Sequence, residues 1–516
     1  MAIKIILILI FFGVMVGVGI YCRKQATDVH GFVLGGRNVG PWLSAFAYGT
    51  SYFSAVIFVG YAGQFGWKFG IASTWIGIGN ALIGSFLAWV ILGRRTRIMT
   101  QHLGSATMPQ FIEKRFDSKL LKLIASIIIF VFLIPYTASL YNGLSRLFGM
   151  GFNVDYTICI IVMAILTAVY VIAGGYLATA VNDFIQGLVM LVGIVAVIAA
   201  VLNINGGLNG SIAVLSQVSD PSVSENPGAF ASFFGPDPFS LLGVVILTSL
   251  GTWGLPQMVQ KFYAIKSEKD IQKGTVISTL FACVVAGGCY FLGGFGRLFD
   301  IDVAAEGYDA IIPAMLSNLS PFLFGVVLIL VLSASMSTLS SLVLTSSSTL
   351  TLDFIDPVIL KGKSDEKKNL LIIRIFIAVF ILISAIIAIV QYKLNVTFIA
   401  QLMGLSWGAL AGAFLAPFLY SLYWKGVTKA ACMVSFIWGS LLMLANMFFK
   451  SAFPAVLQSP INCGAFAMLS GLVIVPVVSL FTKKLDKKHV DYVFSCYEQK
   501  VMVPITEALN VSSTEK

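Results

Sequence analysis

Apolar runs of about 20 residues, the length of helix that crosses ~30 Å of hydrocarbon, recur from one end of the chain to the other. Thirteen are predicted, at 4–22, 41–63, 71–93, 120–148, 154–174, 180–203, 239–262, 275–296, 319–350, 370–391, 396–422, 428–449 and 463–481. The pattern predicts an all-α polytopic membrane protein, because in lipid a lone segment satisfies its own backbone only as a helix. Two runs are interrupted halfway, the second by AYGTSYFSA from Ala47 and the seventh by SLGTWGLPQ from Ser249, five runs apart. That spacing suits a pair of inverted five-helix repeats, 41–203 and 239–422, whose first helices break at the midplane and free backbone carbonyls for ions and solute. A pair of merely kinked packing helices would leave the same trace.

Charge sets the expected orientation. Arg23 and Lys24 follow the first run with no small-residue cleavage site, so 4–22 is read as a retained extra helix. With the N-terminus outside, four basic groups fall in cytoplasmic loops. They are Arg94, Arg95, Arg97, Lys114 and Arg115; Lys261, Lys266, Lys269 and Lys273; Lys361, Lys363, Lys367 and Lys368; and Lys483, Lys484, Lys487 and Lys488. Asp220, Glu225, Asp300, Asp302, Glu306 and Asp309 fall on the opposite side, and an odd number of runs leaves the C-terminus inside. This alternation accounts for the net charge of +10, which therefore gives no reason to expect a nucleic-acid partner. A composition 58% hydrophobic and 11% charged excludes an ordinary soluble multidomain protein. The seven cysteines include no C-x-x-C pair, and His30, His102 and His489 avoid the depths of the runs. No metal cluster, disulfide framework or intramembrane enzyme is expected from them. Residues 1–482 read as one membrane domain, with two C-terminal helices within 428–481. The tail 483–516 is expected to be cytoplasmic, a short surface helix followed by a disordered end.

Two polar features within the runs suggest chemistry. In the ninth, Ala334, Ser337, Thr338 and Ser341 share one helical stripe, and Ser337, Ser340 and Ser341 an overlapping one. Converging hydroxyls suit a small hard cation, whereas small hydroxyl residues also let membrane helices pack closely and bond their own backbone. In the sixth, Asp183 is a carboxylate attached to an otherwise uncharged apolar segment. Such a group is costly at membrane depth and calls for a cation, a proton or a polar cavity. The alternative is an interfacial acid at a helix N-terminus.

Four stretches in order, FVLGGRNVGPW, AGGYLATAVNDFIQGLVML, GLPQMVQKFYAIKSEKDI and ASMSTLSS, resemble the sodium/solute symporters over nearly the whole chain, although Tyr176 departs from the usual residue. The resemblance is closest to the sodium/proline and sodium/pantothenate permease branches. It implies the leucine-transporter fold, a plasma-membrane multi-pass location and co-transported sodium with no organic cofactor. It also implies alternating-access uptake of a small organic solute, such as proline, pantothenate or another carboxylate. The family's main sodium site maps onto carbonyls of Thr50, Phe53 and Ala334 and hydroxyls of Ser337 and Thr338. A second sodium site maps onto Asp183, Ser337, Ser340 and Ser341. Solute contacts map onto Tyr52, Phe53, Val56, Tyr136, Thr252, Trp253 and Pro256, with Val56 and Thr248 standing where the proline permease has tryptophans. Each chain is expected to work as a monomer in the bilayer. A solute sensor on a transporter scaffold is the alternative, which the short tail disfavours.

Overall fold

The computed structural model describes residues 2–498 apart from 153–154, 222, 225, 318 and 395–398. Each predicted run coincides with helix to within a few residues at its ends. Among the described residues, nine helices are long and apolar enough to cross a membrane, or ten with the bent pair Pro238–Gly254 and Pro256–Ala264 counted as one span. Two of the nine, Val56–His102 and Tyr156–Asn203, are each divided by a glycine of positive φ, Gly70 (61°) and Gly175 (58°). At Gly175 a Cβ would also stand 2.8 Å from Phe32, so glycine serves both the turn and the close approach.

Both interrupted runs are broken helices. The helix Pro41–Tyr52 ends at Phe53 in extended backbone (φ −89°, ψ 113°) before helix resumes at Val56. The second break falls at Leu255 (φ −80°, ψ 121°), with a bend of 47°. Its cause is local: Pro256 pushes the preceding residue out of helical conformation and opens the next helix where its missing N–H costs nothing.

Burial separates an inner group from an outer one. The most apolar windows of Pro321–Ile359 and Ile399–Tyr423 are 78% and 94% buried, against 39% for Glu366–Leu394, Lys429–Phe448 and Pro460–Phe481. The outer helices show apolar side chains such as Leu382, Leu441 and Val473 to the surroundings, as a lipid-facing surface requires. Among the tightest inner approaches is Gly66, where a Cβ would lie 2.0 Å from the carbonyl oxygen of Gly293, letting two backbones touch.

Loop residues expected to share a side meet at one end of the bundle. Arg94 pairs with Glu268 at 2.7 Å, and the Arg95 guanidinium lies between the rings of Tyr423 and Tyr497. At the other end Arg297 pairs with Asp220 at 3.0 Å. The segment between the sixth and seventh runs contains a helix, Gly207–Leu215. The tail carries a short helix, Lys487–Phe494, that buries Val490, Val493 and Phe494 on one face, while residues after 498 lie outside those described. Phe494 supports Arg115, whose guanidinium is 5.0 Å from its ring and donates to Ser421 O and Trp424 O, each at 3.1 Å. Burial pulls the Arg115 pKa down to about 10, which leaves it charged at neutral pH. Truncating Phe494 to Ala should cost about 3 kcal/mol, seen as a lower Tm of the purified protein with an unchanged half-saturating sodium concentration.

Candidate functional site

The break at Phe53 decides what surrounds Thr50. In a continuous helix the Thr50 carbonyl would meet an amide four residues on, but the chain has turned to extended backbone there. Two hydroxyls from Pro321–Leu350 face that oxygen instead, Ser337 Oγ at 3.2 Å and Thr338 Oγ1 at 3.1 Å. The same hydroxyls lie 3.3 and 3.1 Å from Ala334 O. Four oxygens thus form one nest, and each hydroxyl brings a single proton to two carbonyl acceptors. Lone pairs outnumber protons, so the nest favours a cation. Phe53, fully buried, is the extended residue at its edge.

Asp183, Ser337, Ser340 and Ser341 lie nearby, and a residue absent from the sequence expectation joins them. Lys261, expected in a cytoplasmic loop, is only 3% exposed, because the short helix Pro256–Ala264 buries all nine of its residues. Its Nζ donates to Ser341 Oγ at 2.9 Å and stands 3.8 Å from Asp183 Oδ2. It also sits 5.1 Å from the ring centroid of Tyr176. Ser341 Oγ is shared with Ser51 Oγ at 2.7 Å, one residue from Thr50. Ser340 bonds its own helix at Ser337 O, 2.9 Å away. The sequence signal was available: Gln257, Gln260 and Lys261 are spaced by three and four, a polar stripe on a helix whose remaining residues are largely apolar.

Comparison with known proteins bears directly on this geometry. The family model for the sodium:solute symporter family matches residues 32–439. The chain belongs to the sodium:solute symporter family. Sodium/proline symporters of Staphylococcus aureus strains JH9 and NCTC 8325 are each 31% identical over 497 residues, covering 94% of this chain and 93% of theirs. A substrate-bound, outward-open Na+-coupled sialic acid symporter aligns with a TM-score of 0.71 at 16% identity, covering 94% of this chain and 99% of that one, which establishes the shared fold. The protein is therefore a multi-pass transporter that couples inward sodium movement to uptake of a small organic solute.

In this symporter the residues expected around the solute divide into two groups. Tyr52 and Tyr136 meet on Trp407, the first stacked at 5.8 Å between centroids, the second edge-on at 5.9 Å. Trp407 lies on Ile399–Tyr423, and sequence reasoning missed it because an aromatic in an apolar run carries no distinguishing mark. Gly251, four residues before the second break, packs against the same indole, where a Cβ would lie 2.7 Å away. Tyr136 Oη, Trp407 Nε1 and Ser54 Oγ are buried together beside the first break, the tyrosine hydroxyl facing both the serine and the indole N–H. Thr252 and Trp253 do not join this cluster. Thr252 Oγ1 donates to Gly84 O and Trp253 Nε1 to Ile83 O, both at 3.0 Å, which ties them to the segment after Gly70. Val56 and Pro256 are buried at their respective breaks.

Proposed function

We propose that the nest of Thr50 O, Ala334 O, Ser337 Oγ and Thr338 Oγ1, with the Phe53 carbonyl beside it, holds the co-transported sodium ion. The observation that carries this reading is the excess of oxygen lone pairs over protons at a helix break. The solute sits against Tyr136 and Trp407, whose Oη and Nε1 form, with Ser54 Oγ, a buried polar cluster beside the first break that a polar solute can bond. Its class is a small carboxylate, in keeping with the 31% identical sodium/proline symporters, and proline and pantothenate are the leading compounds. One protomer contributes every residue of both sites, so the monomer is the working unit, with the N-terminus outside and the C-terminus inside.

Binding at one break couples the two ligands, because Thr50 and Tyr52 lie on the same turn of helix. A sodium ion moving down ~100 mV and a tenfold gradient releases about 3.7 kcal/mol, enough to accumulate a neutral solute several hundredfold. Thermal stability of the purified protein, measured with amino acids, vitamins and carboxylates in sodium and in potassium, tests the reading. Proline or pantothenate should raise Tm strongly in sodium and little in potassium. Equal stabilisation in both salts would overturn the coupled sites, and stabilisation by an uncharged sugar alone would overturn the solute class.

A further inference from the structure

Lys261 places a positive charge where the sequence led one to expect a second metal ion. Its ammonium, the side-chain partner of the buried Asp183 carboxylate, donates to Ser341 Oγ at 2.9 Å and faces Asp183 Oδ2 at 3.8 Å. Neither side chain reaches water: Asp183 is fully buried and Lys261 is 3% exposed. The lysine is anchored as well as charged. Its neighbour Gln260 accepts from Thr345 Oγ1 at 2.7 Å and donates to Val33 O at 3.1 Å, which pins the short helix against Pro321–Leu350 and the chain before the first break.

We propose that Lys261 is a tethered cation filling the second ion site, so that this symporter moves one sodium ion per solute. The inference rests on the sodium reading given above. A sodium ion bound to Ser341 and Asp183 would stand within bonding range of the same two groups that hold the ammonium. At about 4 Å in partly polar surroundings, like-charge repulsion weakens binding by roughly a thousandfold. The lysine thus discriminates by charge what the hydroxyls and carboxylate would otherwise accept. It also reaches the main site: Ser341 Oγ, which accepts a hydrogen bond from the ammonium, is hydrogen-bonded to Ser51 Oγ, next to Thr50. Lys261 is accordingly a positioning residue, holding Asp183 and Ser341 in one arrangement throughout the cycle rather than only when sodium is present.

The test is the ratio of sodium to solute flux in proteoliposomes, using the solute identified by thermal stability. The intact protein should move one sodium per solute, with a Hill coefficient for sodium near 1. Lys261→Met should raise the ratio toward two and the Hill coefficient toward 2, while Lys261→Arg should keep both at one. Adding Asp183→Asn to Lys261→Met should return the ratio to one with transport retained, because the second anion is gone and the main nest is untouched. A ratio of two in the intact protein, or a ratio of one in an active Lys261→Met, would overturn the proposal. If Lys261→Met fails to fold, the intact protein's ratio and the double variant, which has no buried charge to compensate, still decide it. Solute flux without any sodium dependence in the intact protein would instead refute the sodium nest.

Discussion

Replacing both hydroxyls of the nest, in Ser337→Ala/Thr338→Ala, should raise the half-saturating sodium concentration by a hundredfold or more and leave little uptake at physiological sodium. Each hydroxyl faces both Thr50 O and Ala334 O within 3.3 Å, so each supplies a cation ligand. Losing a polar contact to a charged group costs about 1.5–3 kcal/mol, or roughly ten- to a hundredfold for each hydroxyl. The protein itself should survive, because alanine fits a helix interior and removes only small groups. Radiolabelled solute uptake into proteoliposomes across a sodium series measures the shift. An increase smaller than about threefold, in protein of normal Tm, would mean that the hydroxyls pack the helix and bind nothing.

A side chain larger than hydrogen at Gly66 should prevent correct folding altogether. Its Cβ would lie 2.0 Å from Gly293 O and 2.1 Å from Gly293 C, and the obstacle is backbone that no rotamer change relieves. The reverse position is equally closed, since a Cβ at Gly293 would meet Ala62 O at 2.0 Å. Ordinary overpacking costs about 1–3 kcal/mol when neighbours can shift, and here two helices would have to separate. Gly66→Val should therefore give no monodisperse peak on size-exclusion chromatography. Gly287→Ala, on the same helix as Gly293 but with nothing within 4 Å of its Cβ, should behave as the unmodified chain.

Helix positions were legible in the sequence because hydrocarbon imposes a length on each run, and the second break because a proline follows Leu255. The stripe of Ala334, Ser337 and Thr338 was legible because hydroxyls in an apolar run stand out against their neighbours, whereas Thr50 was reached only through the family resemblance. Lys261 was passed over despite its polar stripe with Gln257 and Gln260, because a lysine at the end of a run looks like the ordinary cytoplasmic charge that sets orientation. Only the re-entry of Pro256–Ala264 into the bundle reveals its place beside Asp183. Trp407 failed to register for the opposite reason, being one apolar residue among many. Thr252 and Trp253 bond Gly84 O and Ile83 O instead of joining the Trp407 cluster, a matter of helix rotation that spacing from Pro256 does not encode. Docking of the tail through Phe494 depends on Arg115, nearly 400 residues away in sequence.

Trp407 lies between Tyr52 and Tyr136, with its indole buried. On the proposed solute site, an indole so placed is a built-in optical probe. A solute that accepts a hydrogen bond from Nε1 or displaces a tyrosine ring changes both the polarity around the excited state and its quenching. With eight tryptophans in the chain, a variant retaining Trp407 alone would report solute arrival as a change in emission, in real time and without a label.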